Sequence, residues 1–465
     1  MITTFVGVAS ADITPSYPVM LGGFGQRVTP SESVHDAIET VALCIGEDEP
    51  LLVITADLIA MAAPVTKEVV AQIQKATGID SNRILLAASH THSAPVPHDP
   101  SGSAIGVQRF SEQLTEALVK VGIDAFHSRR PARIVSGYGD ARIGFNRWKP
   151  DESQEVDTRI PVLIAIDSQS DSPFAVLFGS GCHPTTMGWD NPEVSADYPG
   201  EAKRSIRKAL PGVTPLFINT TEGDIVPTTS PQRDALDPRG YCNSSFEDTQ
   251  KIGAQLAEAV IGIMTDLSDN SSVVDDGLLG MQSSTLELMP NNGGLDESAA
   301  EIRLAKSIAD LKEFLGADFQ TTVPMSQLWA AASHVVISLD MSESEMRRIM
   351  IACCYYLGLT ARKARPTPST PINFPIQVIV IDTLKFLAMP GEVLVALGRR
   401  WSELVQSDRA FVIGLANTSY RYLPMQEHFD EAGGDERYET VTAGVAPGEI
   451  DRVLEYGSKI MAGIL

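Results

Sequence analysis

The sequence predicts an α/β fold: a single catalytic domain over residues 1–465, built on a mixed sheet with flanking helices and a helical insertion at 299–370. Three observations lead there. Short apolar runs alternate with amphipathic stretches along most of the chain. An apolar run followed at once by polar residues recurs at His90, His183, Asp224 and Glu392, so chemistry-bearing side chains collect at one sheet rim. No internal repeat or low-complexity block interrupts the pattern.

Taken in order, 41–45 and 51–56 read as strands joined as a hairpin across Gly46-Glu47-Asp48-Glu49-Pro50. A helix follows at about 65–76, then an apolar strand at 84–88 and a long helix at 107–126. Segments 160–166 and 174–179 form a further strand pair, the second leading into Cys182-His183-Pro184. A helix near 200–210, a strand at 215–219 and a helix at 248–264 close the first part. Residues 266–300, rich in Asp, Ser, Asn and Gly, read as a connector plus strand. Recurring Leu, Ile and Met make 299–360 mostly helical. Segment 361–371 carries Pro366, Pro368 and Pro371 beside Arg362, Lys363 and Arg365, and reads as an exposed loop. Strands at 377–381 and 384–389 return the chain to the sheet.

Composition narrows the partners. A formal net charge of −23 disfavours nucleic acid and anionic membranes, and no apolar run is long enough for a membrane span. The partner expected is a small-molecule substrate. The N-terminus lacks a basic segment followed by an apolar one, and the five cysteines form no CxxC, so a cytoplasmic, reducing location is expected. Cys182 reads as a small buried residue.

The most informative stretch is His90-Thr91-His92-Ser93 at the end of the 84–88 strand. In extended backbone, residues two apart point the same way, so His90 and His92 can face one site. A metal is the commonest reason to concentrate imidazoles there; a pair of loop histidines fits the spacing equally well. Alone, Glu392 after Pro390-Gly391 reads as a first-turn carboxylate, His183 as a strand-end histidine and Tyr422 as core packing.

Five segments in one order change that balance: Ser89-His90-Thr91-His92-Ser93-Ala94-Pro95, Asn146-Arg147, Cys182-His183-Pro184-Thr185-Thr186-Met187, Met389-Pro390-Gly391-Glu392, and Asn417-Thr418-Ser419-Tyr420-Arg421-Tyr422 with Arg437-Tyr438-Glu439 behind it. Together they resemble the neutral (non-lysosomal) ceramidase family, as do the opening Val6 to Thr14 and Thr55-Ala56-Asp57-Leu58. The resemblance implies a single zinc held by His90, His183, Glu392 and Tyr422, with His92 either a proton shuttle or a group that supports the ligands from behind, and with Arg147 and Tyr438 facing substrate to steady an oxyanion.

The match departs at Gly223-Asp224-Ile225-Val226-Pro227, where the family carries a GDVSP-like segment. Val226 stands where a serine implicated in ceramide hydrolysis is expected, and valine is neither nucleophile nor donor. Ser93 and Ser195 belong to other motifs. The family's C-terminal β-domain is not in the sequence. The expectation is therefore a zinc hydrolase of an amide or ester bond in a small polar substrate, ceramidase-like but not acting on ceramide. The alternatives are a carbohydrate-acting hydrolase, for which Asp224 and Glu392 are the nearest pair of carboxylates, and a metal-binding protein without catalysis.

Overall fold

The computed structural model describes residues 2–148, 155–230, 235–241, 245–269, 278–291, 297–363 and 370–465. Cys242, Pro366, Pro368 and Arg365 lie outside the described residues. An eight-stranded mixed sheet runs in the order Thr214–Asn219, Pro173–Ser180, Arg159–Asp167, Arg130–Asp140, Ile2–Asp12, Glu39–Ile45, Leu51–Ala56, Ile84–Ala88. Its two outermost pairs are parallel and the rest antiparallel. A four-stranded sheet follows the order Leu278–Leu288, Ile372–Asp382, Leu384–Ala388, Ala410–Ile413.

Strand periodicity builds the layers. Val41, Leu43 and Ile45 point inward and share one core with Ile379, Phe386 and Phe411 of the smaller sheet, whereas Ala42 and Cys44 point outward to Val69 and Phe110. The helices Ala63–Thr77, Val107–His127, Asp197–Ala209 and Phe246–Asp269 cover the outer face of the large sheet. Val395–Leu404 and Glu449–Ile464 cover that of the small one. The result is two sheets packed face to face between helical layers. The mixed sheet with flanking helices is as the sequence predicts; the long strands Ile2–Asp12 and Arg130–Asp140 are additions to it, and segments 377–381 and 384–389, expected to return to that sheet, lie in the second one.

The expected helical segment is also present. Leu278–Leu288 and Ile372–Asp382 pair antiparallel along their full length, Leu278 opposite Asp382 and Leu288 opposite Ile372. The helices Glu297–Leu315, Phe319–Thr322, Leu328–Ser338 and Glu343–Lys363 thus sit between the arms of one hairpin. They share a core of their own around Leu311, Phe319, Val336, Ile349 and Met350.

Candidate metal centre and active-site cavity

Ile84–Ala88 and Thr214–Asn219 are opposite edges of the large sheet, yet the twisted sheet brings their ends together: Asn219 Nδ2 donates to Ser89 O at 3.0 Å. The chain beyond Ala410–Ile413 joins them. Asn417 N–H donates to Leu86 O at 2.8 Å, and its Oδ1 accepts from Leu86 N–H at 3.0 Å. Strand ends from both sheets meet here, and the polar turns that follow them form one site.

His90 and His92 share this site, though not through strand alternation. Ser89 N–H and His90 N–H donate to Ala56 O and Leu58 O at 2.9 and 2.8 Å, which draws the chain out of the strand. His90 takes a left-handed φ of 71°, and a turn brings its Nε2 within 3.3 Å of His92 Nε2.

The tautomers follow from the backbone. His90 Nδ1 donates to Ile59 O and His183 Nδ1 to Glu222 O, each at 2.6 Å. Each Nε2 is therefore a lone pair. Both face Glu392 Oε2, at 3.4 Å from His90 and 3.2 Å from His183. Lone pairs aimed at a carboxylate repel unless positive charge lies between them. Burial pushes the His183 pKa down, so a proton is poorly suited to supply that charge. Burial also opposes ionisation of Glu392, yet His90 and His183 beside it hold its carboxyl well below the usual carboxylate range. The buried His90, His92 and His183 offer ring nitrogens within 4.8 Å of one another and can hold a metal ion.

Tyr422 lies opposite Glu392 in a two-residue parallel pairing. Burial foremost, then the Glu392 charge, holds its phenol well above the ordinary range, so it is a neutral oxygen donor. Its hydroxyl accepts from Arg147 Nη2 at 3.1 Å. The Arg147 side chain is also bound by Nε to Glu439 Oε1 at 2.8 Å and by Nη2 to Gly223 O at 2.9 Å. Tyr438 begins the short helix Tyr438–Val441, its ring 5.4 Å from Tyr422 and 6.1 Å from Trp329. Burial pushes its phenol far up, so it remains a hydrogen-bond donor at neutral pH.

His90, His92, Arg147, Glu392, Tyr422 and Tyr438 all line one cavity of about 520 Å³, with His183 buried beneath it. The opposite wall is apolar: Trp329, Tyr355, Leu357 and Leu359, all from the helical insertion. Sequence reasoning offers no sign of this wall, because only tertiary packing carries the insertion there. Nor does it single out Glu222, whose carboxyl is fully buried with no side-chain partner among the described residues. Burial first, then the Glu392 charge, pushes that carboxyl well above its ordinary range. Gly23 is a further such residue: with φ 92°, a Cβ there would fall 2.4 Å from His92 Cγ.

Other residues are used structurally. Asp224 Oδ1 accepts from Val395 N–H at 2.9 Å, and its Oδ2 accepts from Asn146 Nδ2 at 3.0 Å and Arg437 Nη2 at 3.3 Å. Val226 is buried in the short strand Ile225–Pro227, opposite Phe145. Ser93 Oγ accepts from Asn191 Nδ2, and Ser195 Oγ donates to Asp36. Cys182 is buried, which pushes its thiol well up. His35 stacks on Phe246 at 3.3 Å and does not line the cavity.

Comparison with known proteins bears on the family and the fold. The family model for the N-terminal part of neutral/alkaline non-lysosomal ceramidases matches residues 5–440. Neutral ceramidase A of Dictyostelium discoideum is 23% identical over 437 residues, covering 79% of this chain and 58% of that protein. Neutral ceramidase of Pseudomonas aeruginosa is 24% identical over 480 residues, covering 91% of this chain and 67% of that protein. The chain thus spans 58% to 67% of the length of these two relatives. The crystal structure of neutral ceramidase from Pseudomonas aeruginosa shares the fold, with a TM-score of 0.69 over 100% of this chain and 74% of that one at 17% identity. With the model spanning nearly its whole length, the chain belongs to the neutral/alkaline non-lysosomal ceramidase family.

Proposed function

We propose that this chain is a zinc-dependent hydrolase of N-acyl amide bonds. The observation that carries the reading is the convergence of His90 Nε2 and His183 Nε2 on Glu392 Oε2, with both Nδ1 atoms anchored on backbone carbonyls. Two imidazoles, one carboxylate and a neutral phenol from Tyr422 form a donor set suited to zinc. A zinc ion held there supplies a Lewis acid for the scissile carbonyl and activates water near neutral pH.

The side chains divide the remaining work. Burial foremost, with His90 and His183 adding to it, holds the His92 pKa well below its ordinary value, so its imidazole is neutral and able to take a proton. Nε2 accepts that proton from water as oxygen attacks the carbonyl carbon. The proton then passes to the leaving nitrogen as the C–N bond breaks, giving an acid and an amine. The Tyr438 hydroxyl donates to the developing oxyanion. Arg147, held by Glu439, positions Tyr422. The apolar wall from the insertion suits an acyl chain, more than a wholly polar substrate requires.

Ceramide belongs among the substrates to be tested. The expectation against it rests mainly on Val226, and the relatives in the comparison bear the name ceramidase. The carbohydrate reading loses its second carboxylate, because Asp224 is held by Asn146, Arg437 and Val395 and does not line the cavity. The test is metal analysis of protein purified without added metal, followed by assays on N-acyl amides, including ceramide, beside esters and glycosides. About one zinc per chain and chelator-reversible release of fatty acid from an amide are expected. Activity confined to glycosides, or unaffected by metal removal, would overturn the reading.

A further inference from the structure

Among the described residues, three charged ones line the cavity: Arg147, Glu392 and Arg421. Arg147 is bound to Glu439, Gly223 and Tyr422, and Glu392 faces the imidazoles. Arg421 differs. Its guanidinium makes no hydrogen bond or ion pair with any described residue, and the side chain is exposed at the cavity rim.

Its backbone is held in place. Arg421 N–H donates to Ser419 Oγ at 3.2 Å, and its carbonyl accepts from Glu392 N–H at 2.8 Å. The residue adopts φ 62°, uncommon for a non-glycine residue and typical of functional sites that store strain. In regular strand, residues 421 and 422 would point to opposite faces. The left-handed backbone breaks that alternation, and Arg421 and Tyr422 line the same cavity. The bond to Glu392 fixes the arginine relative to the candidate metal ligands. A guanidinium with no partner among the described residues is a site for an anion on a chain whose net charge of −23 otherwise repels one.

We propose that Arg421 binds a carboxylate of the substrate, so that the preferred amides are anionic ones such as N-acyl amino acids. The inference rests on the hydrolase reading above and adds the substrate class. The planar guanidinium fork matches a carboxylate in bidentate geometry, while the insertion wall receives the acyl chain.

N-octanoylglycine and N-octanoylethanolamine share the acyl chain and the amide and differ in the carboxylate. Their dissociation constants are measured by calorimetry on the protein before and after chelation, and their kcat/KM values on the metal-loaded protein, for wild type, R421Q, R421K and R421G. Glycine suits the left-handed backbone, so R421G keeps the test open if R421Q folds poorly. Wild type should favour the glycine conjugate. R421Q and R421G should lower the anionic-to-neutral preference ~10–100-fold, and R421K should restore part of it. A ratio indifferent to R421Q and R421G, or a wild type that favours the ethanolamide, would overturn the inference. Preferential binding without turnover of either compound would instead overturn the hydrolase reading and leave the carboxylate site standing.

Discussion

Arg147 Nη2 donates to the Tyr422 hydroxyl at 3.1 Å while Arg147 Nε is bound to Glu439. A candidate ligand is thus oriented by a buried ion pair whose two side chains are 4% and 3% exposed. Arg147→Met leaves the Glu439 carboxylate with Arg437 as its one cationic partner among the described residues, Nε donating to it at 3.1 Å. Removing one partner of such a pair costs about 3 kcal/mol, whereas replacing both with apolar residues costs much less. Chemical denaturation of Arg147→Met, Glu439→Leu and the double variant checks this. The double variant should recover much of the loss, and an additive cycle would show the pair to be uncoupled.

His92 differs from the other two imidazoles in its second nitrogen. His90 Nδ1 and His183 Nδ1 are each tied to a carbonyl, whereas His92 Nδ1 has no partner among the described residues. Ligating histidines are normally anchored through the nitrogen that does not bind metal. His90→Ala, His183→Ala and Glu392→Ala should therefore lose metal on dialysis. His92→Ala should retain it and lower kcat ~10²–10⁴-fold. Loss of metal from His92→Ala would make it a ligand instead.

Gly23 tests the same assignment from the other side of the cavity. Its φ of 92° is strained for any residue with a Cβ, and that atom would sit 2.4 Å from His92 Cγ. Gly23→Ala should displace the His92 ring, reduce turnover as His92→Ala does, and leave metal content intact. Stability should fall by about 1–2 kcal/mol. Wild-type turnover in Gly23→Ala would show that the position of the His92 ring is immaterial.

What the sequence discloses follows from the range of the forces involved. Segments such as Leu51–Ala56 and Ile84–Ala88 are buried on both faces and read as continuous apolar runs. Arg130–Asp140 is a long strand without such a run, since it carries Arg130, Arg133, Ser136 and Asp140, and only its neighbours define it. The candidate metal set stands out in the sequence through its ordered motifs, and His90, His183, Glu392 and Tyr422 each follow or form a short strand whose end is set by local residue types. Trp329, Gly23 and Glu222 were not legible. Their relation to the site comes from contacts between segments far apart in the chain.

Glu222 gives the prediction most dependent on burial. Its carbonyl holds His183 Nδ1 at 2.6 Å, while its carboxyl lies inside the fold beside Gly414, where a Cβ would come within 3.1 Å of Oε2. Burial, then the nearby Glu392 charge, keeps the carboxyl protonated well above its ordinary value near ~4.3. Folded chains thus hold a proton that unfolded chains release. The stabilisation is complete below the unfolded pKa and is lost as pH rises toward the folded one, by up to about 1.4 kcal/mol per pH unit. Glu222→Gln keeps the shape and the donor capacity without that proton. Its melting temperature should therefore gain on wild type as pH rises from 5 to 8, with metal content unchanged. A difference that stays flat across this range would mean that Glu222 is ionised in the fold, held by positive charge rather than by its proton.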